Sequence, residues 1–266
     1  MPSLFESAQK EVSRIFTLIE RHFSPGSKDL SSPLVLDLFH KALQVYNDSS
    51  GYFDITVAPL SKLWGFFNKS FRVPEENEIK RVLNYVGMNK IKEEKGKLIL
   101  SPHMEIDWGG LAKGLAVELA SQSLIKMGFS KGFINAGGDL YCWGKNPENA
   151  SWRIGIKHPR KSGFLGILSI SNMAVATSGD YQRYFERNGV RYHHIFNPYT
   201  GYPVQGKQSV TVIGPRAVLC DALSTALFAN PHPEEIIRKF LDYGAILVDS
   251  KRNVSIIGKA YPFRLL

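Results

Sequence analysis

The chain has 266 residues, of which 44% are hydrophobic and 21% are charged, and this composition excludes an intrinsically disordered protein. No stretch approaches the roughly 20 consecutive apolar residues that a transmembrane helix needs, so a membrane-spanning helix is not expected. The formal net charge of +9 favours anionic partners, but the basic residues are spread along the chain and form no compact nucleic-acid-binding motif.

The N-terminal third is predicted to be helical. Apolar residues recur at three- and four-residue spacing over 5–23, which indicates one helix that Pro25 and Gly26 end. A second helix is predicted over 33–46, because a serine suited to the N-cap precedes a proline suited to the first turn. A third, shorter helix is predicted over 74–86, with a glycine as its stop signal.

Strands and hairpins alternate with helices in the rest of the chain. Asn188-Gly189 lies between two alternating runs, which is the strongest short-range signal for a hairpin. Helices are predicted over 110–127, 217–228 and 233–243, and strands over 97–101, 132–135, 140–143, 152–157, 166–171 and 174–177. This order favours an α+β fold of antiparallel sheets with packed helices. Because no repeat or linker is found, a single domain over 1–266 is expected.

An aromatic segment at 51–60 is interrupted by two polar residues, Asp54 and Thr56. The neighbouring rings of Tyr52 and Phe53 suit a flat ligand such as isoalloxazine or adenine. The alternative is that the aspartate caps a turn over a small aromatic core.

Glycines precede the helix predicted over 110–127, where backbone N–H groups can approach an anion. Lys113 in the first turn opposes the helix dipole, and a bound phosphate or carboxylate would resolve this conflict. A purely structural turn is the alternative. The Asn-Ala-Gly-Gly-Asp segment at 135–139 is predicted to be such a turn.

The predicted hairpin brings together two further polar segments, at 176–180 and 193–203. Asp180, His194 and Thr200 are therefore candidates for one site, and histidine is the side chain best placed to move protons near neutral pH. The alternative is a structural histidine in a strand.

Asp221 and Thr225 are four residues apart on a predicted helix and so lie on one face of it. A carboxylate and a hydroxyl are hard oxygen ligands that suit Mg²⁺, whose shell waters and phosphate oxygens can complete. In the alternative, Thr225 bonds back to the carbonyl of Asp221 and the aspartate is solvated.

Six motifs occur in one order along the chain. They are Gly-Tyr-Phe-Asp-Ile-Thr-Val-Ala-Pro-Leu at 51–60, Asp-Trp-Gly-Gly-Leu-Ala-Lys-Gly at 107–114, Asn-Ala-Gly-Gly-Asp at 135–139, Ala-Thr-Ser-Gly-Asp-Tyr at 176–181, His-Ile-Phe-Asn-Pro-Tyr-Thr-Gly-Tyr-Pro at 194–203 and Asp-Ala-Leu-Ser-Thr-Ala at 221–226. Together they resemble the ApbE family of FAD:protein FMN transferases, and the likeness runs from about Phe16 to the C-terminus.

The resemblance implies an ApbE-like α+β fold and a Mg²⁺-dependent enzyme that uses FAD as its substrate. Family members transfer FMN to a Thr or Ser hydroxyl of a target flavoprotein and release AMP. Two alternatives remain open: an FAD pyrophosphatase that gives FMN and AMP, and an FAD-binding protein with weak catalysis.

The resemblance also implies roles for individual residues. The metal would be held by the Gly110 carbonyl, Asp221 and Thr225. We expect His194 to accept the proton of the attacking hydroxyl, with Asp180 as its orienting partner. The residues that would contact FAD are Tyr52, Phe53, Asp54, Asp107, Lys113 and Ile195.

The sequence departs from the family pattern in three places. Members usually begin with a strand that carries a Met-Gly-Thr signature, and this sequence begins after it. The loop at 24–29 is shorter than usual, and Asn197 stands where an aspartate is usual.

The first 20 residues carry charges throughout and no apolar signal core, so a cytoplasmic location is expected, or a periplasmic one if an export segment was removed.

Overall fold

The computed structural model describes residues 3–24, 27 and 29–266. It opens with helix α1, Leu4–Phe23, which begins with a capping box and buries one apolar stripe. This helix confirms the prediction over 5–23. The predicted stop signal of the helix, Pro25 and Gly26, lies outside the described residues.

Three shorter helices and a hairpin follow. Helix α2 spans Pro33–Asp48 and confirms the second predicted helix, with a serine N-cap and a proline in its first turn. Helix α3 spans Ala58–Leu63 within the aromatic segment, and helix α4 spans Glu76–Leu83. Strands β1, Lys92–Glu94, and β2, Lys97–Ile99, pair as an antiparallel hairpin, and β2 lies within the strand predicted over 97–101.

A six-stranded sheet forms the centre of the fold, and every neighbouring pair in it is antiparallel. Its strands are β3, Gly132–Ala136, β4, Asp139–Trp143, β7, Met173–Gly179, β10, Lys207–Gly214, β11, Gly244–Asp249, and β12, Val254–Gly258. The spatial order is β12-β11-β10-β7-β4-β3. Strand β10 is buried along nearly its whole length, because sheet neighbours lie on both sides of it and a helix covers it.

Two smaller sheets complete the β structure. Strands β5, Trp152–Lys157, β6, Phe164–Ile170, and β13, Phe263–Leu265, form a sheet in the order β13-β6-β5. Strands β8, Tyr184–Arg187, and β9, Val190–His193, form the hairpin that the Asn-Gly signal predicts.

The remaining helices pack against the central sheet. Helix α5, Ala112–Lys126, contacts α1 and α6, and helix α6, Ala217–Ala229, packs on β7 and β10. Helix α6 is buried on nearly all sides, as expected for a helix that is apolar around its circumference. The last helix, α7, is only Pro233–Ile237, so the prediction over 233–243 is wrong. Tight i to i−3 turns replace the helix before Tyr243.

Helices on antiparallel sheets confirm the α+β class. Within the described residues, no helix has the length and apolar character needed to cross a membrane.

Candidate active site

Helices α5 and α6 approach each other closely at Gly114. A Cβ atom at this position would lie 2.5 Å from the carbonyl oxygen of Ala217 and 2.8 Å from Cα of Val218, so only glycine fits. The Gly114 N–H donates a 3.0 Å hydrogen bond to Oδ2 of Asp221. This contact fixes the start of α5, which carries Lys113, against the carboxylate on α6.

Lys113 forms a buried ion cluster with two aspartates. Its Nζ lies 2.6 Å from Oδ2 of Asp139, and 3.2 Å from each carboxylate oxygen of Asp221. Both aspartates are buried, whereas about half of the lysine side chain is exposed. The protein's own carboxylates thus resolve the conflict between Lys113 and the helix dipole, for which the sequence suggested a bound anion.

The charges of this cluster shift each other's titration. Desolvation alone would lower the pKa of Lys113, but the charges of Asp221 and Asp139 outweigh it and raise that pKa. Burial, and then the neighbouring charge of Asp221, raise the pKa of Asp139 to about 7 in spite of Lys113. Two carboxylates facing one ammonium leave surplus negative charge, which an added cation would neutralise.

Three hard oxygen donors adjoin this cluster. Asp221 and Thr225 lie one turn apart on α6, and Gly110 lies just before α5. A Cβ atom added at Gly110 would lie 3.3 Å from Oγ1 of Thr225, so the two residues are close neighbours. It is Ser224, rather than Thr225, whose hydroxyl donates to the Asp221 carbonyl, at 2.8 Å.

The alternative for helix α6, in which Thr225 bonds back to the Asp221 carbonyl and Asp221 is solvated, is therefore not observed. Asp221 is only 3% exposed, and the Thr225 hydroxyl lies 3.1 Å from that of Ser178. In the part of the chain that the structure describes, no three His, Cys, Asp or Glu residues cluster as a metal site would require. A cation here would instead use one carboxylate, one hydroxyl and one backbone carbonyl, a set that suits Mg²⁺ with waters and phosphate oxygens.

A cleft of about 340 Å³ opens over these residues. The sequence predicts eleven residues that act in catalysis, contact FAD or bind the metal, and ten of them line this cleft. They are Tyr52, Phe53, Asp54, Asp107, Gly110, Lys113, His194, Ile195, Asp221 and Thr225. The sequence motifs, which lie up to 173 positions apart (52 to 225), therefore meet in one place.

One end of the cleft is aromatic and carries a buried carboxylate. Asp54 accepts the backbone N–H of Thr56 at 2.8 Å and that of Met88 at 3.2 Å. It caps the short 3₁₀ turn that follows, which is the structural role left open by the sequence. Desolvation raises the pKa of Asp54, although these hydrogen bonds oppose the shift. The ring of Phe53 lies against Gly110 and joins the aromatic end to the oxygen donors.

Asp107 shapes the turn that leads to Gly110. Its Oδ1 accepts the Gly109 N–H at 2.8 Å, and its own N–H donates to the Ile55 carbonyl at 2.7 Å. The first bond closes a side-chain turn, and the second ties this turn to the aromatic segment.

Two adjacent histidines have different surroundings. His193 is buried, its Nε2 donates to the Val204 carbonyl at 2.6 Å, and its Nδ1 accepts the Ile195 N–H at 3.2 Å. His194 lines the cleft, and its Nδ1 lies 3.2 Å from the Arg183 carbonyl. Because a carbonyl only accepts, this bond assigns the hydrogen to Nδ1 and leaves Nε2 of His194 as a proton acceptor.

Burial, and then the charge of Arg183, lower the pKa of His194 to about 3. The imidazole is therefore neutral at pH 7 in the free protein. A diphosphate in the cleft would oppose this shift, because negative charge favours the protonated ring.

Comparisons with known proteins identify the family of the chain. A model of the ApbE family matches residues 6–246. The chain belongs to the ApbE family.

Curated relatives and solved structures support this assignment. FAD:protein FMN transferase of Haemophilus influenzae is 34% identical over 199 residues, which cover 71% of this chain and 58% of the relative. The enzyme of that name from Treponema pallidum is 28% identical over 84% of this chain and 69% of its own length. The crystal structure of an ApbE protein from Thermotoga maritima superposes with a TM-score of 0.83 at 32% identity, covering 96% of this chain and 88% of that chain.

One predicted site residue of this ApbE chain lies elsewhere. Asp180 does not line the cleft; Oδ1 of its carboxylate accepts from Nη1 of Arg160 at 2.7 Å, and Arg191 lies 3.8 Å away. The expected pairing of Asp180 with His194 is therefore wrong, because two arginines engage that carboxylate and the Arg183 carbonyl orients the imidazole. Thr200, the third candidate of this group, does not line the cleft either.

Sequence reasoning missed several polar residues of the ApbE site, among them the following four. Asp139 lay in a segment that was predicted only as a turn, and that turn is present between β3 and β4. Ser178 lay inside a motif of which only the aspartate was chosen. Gln182 and Arg183 follow that motif and line the cleft without any sequence signal of their own.

Proposed function

We propose that the chain transfers FMN from FAD to a Thr or Ser hydroxyl of a target flavoprotein, with release of AMP and with Mg²⁺ as the required ion. The observation that carries this proposal is the cleft itself, in which Lys113 and three hard oxygen donors lie beside aromatic rings and a neutral histidine. Membership of the ApbE family and the names of the curated relatives support the same reaction.

The cleft suits a flavin dinucleotide by its chemistry. Tyr52, Phe53 and Ile195 offer flat apolar surface to a ring system, and the Tyr52 ring is braced edge-on by Tyr199 at 5.2 Å. Lys113 supplies positive charge for phosphate oxygens next to those rings. A ligand that is aromatic at its ends and doubly anionic in the middle matches both features.

The metal-binding residues of this proposal are the Gly110 carbonyl, the Asp221 carboxylate and the Thr225 hydroxyl. Bound there, Mg²⁺ would neutralise phosphate charge and stabilise the charge that develops on the leaving phosphate. Lys113 now contacts both oxygens of Asp221, but it also has Asp139, at 2.6 Å, as a second partner. Asp139 can therefore retain the lysine when the carboxylate of Asp221 is used as a ligand.

Each residue of the cleft has a distinct role in the proposed phosphoryl transfer. The acceptor oxygen bonds to the phosphorus on the riboflavin side, the bond from that phosphorus to the bridging oxygen breaks, and AMP leaves with the bridging oxygen. Nε2 of His194 takes the proton of the hydroxyl, and the Arg183 carbonyl holds the ring in the required tautomer. Lys113 stabilises negative charge on the departing phosphate. Positioning in the cleft is expected to supply most of the rate, as in other phosphoryl transfers.

The test is incubation of the protein with FAD and Mg²⁺, with and without a peptide that carries Asp, two variable residues, Thr, Gly, a small aliphatic residue and Thr. Mass spectrometry then follows the peptide and the free nucleotides. A peptide heavier by one FMN phosphoester, together with AMP, supports the transferase. Free FMN and AMP in both samples would identify a pyrophosphatase instead, and intact FAD in both would leave only FAD binding. A parallel sample with EDTA shows whether turnover depends on the metal.

A further inference from the structure

A second concavity, of about 460 Å³, lies beside the active-site cleft. We call it the aromatic groove, and its lining residues used below are Phe67, Lys69, Phe71, Gln182, Arg183 and Tyr184. None of these residues belongs to the motifs that carry the resemblance to the family, and the proposed reaction uses only one of them, Arg183, through its backbone carbonyl.

The aromatic groove is continuous with the cleft. Gln182 and Arg183 line both of them. On the floor, the Phe66 ring lies 5.4 Å from the ring of Phe71 in the groove and 6.5 Å from the imidazole of His194 in the cleft. A ligand segment in the groove would thus end next to the histidine to which the proposed reaction assigns the proton of the hydroxyl.

The groove exposes the surface of three aromatic rings. Phe67 is 51% exposed, Phe71 is 43% exposed and Tyr184 is 40% exposed, and all three line this one concavity. Scattered exposed rings are normal on protein surfaces, but a contiguous set beside a site marks a binding surface.

The segment that presents these rings is held firmly. Gly65 has φ +80°, and a Cβ atom there would overlap the Ser70 carbonyl, so the loop closes tightly on itself. Arg72 then anchors the end of the loop, because its Nε donates to the Leu63 carbonyl at 3.0 Å and its guanidinium pairs with Glu78. A fixed loop loses little conformational entropy when a partner binds.

The charge of the groove is positive. Lys69 and Arg183 line it, and no Asp or Glu is found among its described lining residues. Arg183 is also held in position, because its Nη2 donates to the Phe66 carbonyl at 3.0 Å. A partner that fits this surface carries an apolar side chain for the rings and an acidic group for the two cations.

We propose that the aromatic groove binds the polypeptide segment that flanks the acceptor Ser or Thr, with an apolar side chain on the rings and an acidic side chain at Lys69 and Arg183. This inference rests on the proposed function, since only a transferase needs an acceptor polypeptide. The other candidate occupant is part of FAD, but the cleft already offers aromatic surface at Tyr52 and Phe53, and the acceptor needs its own open path to His194.

The test compares groove variants with matched controls in the full-length chain. Phe67→Ser and Lys69→Glu alter the groove. Phe164→Ser and Lys145→Glu make the same changes at exposed positions that line neither concavity. Steady-state kinetics with the acceptor peptide described above give KM and kcat, and quenching of flavin fluorescence gives the Kd for FAD.

We expect both groove variants to raise KM for the peptide about tenfold, while kcat and the Kd for FAD stay within about twofold of the wild type. The two control variants should match the wild type in all three quantities. Replacing the acidic residue of the peptide by lysine should weaken the wild type and restore Lys69→Glu, because the charges are then exchanged. A KM that is unchanged in both groove variants overturns the inference, as does a weakened Kd for FAD with an unchanged KM.

Failure of the proposed function would look different. In that case the wild type itself produces no flavinylated peptide. Binding of a fluorescently labelled peptide, measured by anisotropy, then tests the groove directly. Weaker binding to the two groove variants than to the wild type and the controls supports the groove without any turnover, and equal binding to all of them overturns it.

Discussion

Asp221 contributes to the stability of the fold as well as to the proposed metal site. Its carboxylate accepts the Gly114 N–H and faces Lys113, while the second buried carboxylate of Asp139 repels it. A solvated aspartate was only the alternative interpretation of the sequence, and the side chain is in fact buried. The Asp221 side chain contributes both a hydrogen-bond acceptor for Gly114 and a negative charge. Substitution by asparagine removes only the charge, whereas substitution by alanine removes both.

We predict that Asp221→Asn lowers Mg²⁺-dependent turnover by at least about 10²-fold, on the scale seen when one electrostatic stabiliser is removed, yet does not lower Tm. The amide oxygen can still accept from Gly114, and loss of the repulsion by Asp139 offsets the lost contact between the other carboxylate oxygen and Lys113. Asp221→Ala should lose the same activity and also unfold at a lower temperature, because an unpaired buried N–H costs about 1–3 kcal/mol. Kinetics and thermal unfolding measure both variants, and full turnover in Asp221→Asn would remove this residue from the metal site.

His194 provides a prediction for catalysis. If Nε2 accepts the proton of the hydroxyl, His194→Gln lowers kcat by about 10²- to 10⁴-fold with little change in the Kd for FAD. Glutamine keeps a hydrogen-bond donor near the Arg183 carbonyl but cannot act as a base. A variant whose kcat is unchanged, and whose FAD affinity alone falls, would give this side chain a binding role instead.

The same histidine predicts how the protein responds to acid. Its pKa is about 3 in the folded chain, below the ordinary value of 6.5. Between these values the unfolded chain binds more protons, so this residue's contribution to stability is present above pH 6.5 and is lost as pH falls to 3. His194→Gln should therefore lose less stability than the wild type between pH 7 and pH 4. Urea unfolding of both proteins at several pH values measures the difference, and parallel curves would contradict the pKa assignment.

At the scale of elements, the site depends on how closely α5 and α6 pack. Alanine at Gly114 would gain about 1 kcal/mol of helix propensity, but a Cβ atom 2.5 Å from the Ala217 carbonyl overpacks the contact at a cost of about 1–3 kcal/mol. We predict that Gly114→Ala lowers Tm and reduces turnover, since the helices must separate and carry Lys113 away from Asp221. Gln122→Ala, on the exposed face of α5, is the control and should change neither. Unchanged Tm and turnover in Gly114→Ala would show that the helices tolerate the extra atom.

The elements that sequence predicts well are those specified by local chemistry. Helix α1 follows from its apolar spacing, the β8–β9 hairpin from its Asn-Gly turn, and the shared face of Asp221 and Thr225 from helical geometry. The early end of α7 was missed, because tight turns toward Tyr243 and the strand that follows override a continuous apolar pattern.

Long-range pairings are what local patterns cannot supply. Lys113 and Asp139 are 26 positions apart, and Asp180 pairs with Arg160 across two different segments. Each charged residue can be read from the sequence, but the residues next to it in the chain do not indicate which opposite charge it pairs with. The error at Asp180 and the omission of Asp139 have this same cause.

At the scale of the whole molecule, the net charge of +9 acts together with the aromatic groove. Lysine and arginine dispersed over the surface create a positive field that would attract the acidic acceptor segment that we propose, and Lys69 and Arg183 would then receive its acidic side chain. The Debye length falls from about 10 Å at 0.1 M salt to about 3 Å at 1 M, so added salt weakens this long-range attraction. Under the proposed function, FAD in the cleft would also meet Lys113, whose interactions with the buried aspartates are screened less.

With FAD and Mg²⁺ saturating, we therefore predict that KM for the acidic acceptor peptide rises several-fold between about 50 and 300 mM NaCl while kcat changes little, because that range spans the Debye lengths over which exposed charges are screened. The control is the same peptide with its aspartate replaced by asparagine, whose KM should start higher and depend less on salt. Lys69→Glu should flatten the dependence for the acidic peptide in the same way, since it removes a cation from the groove. An equally steep dependence for both peptides would mean that the positive surface does not select the acceptor by the charge of this aspartate.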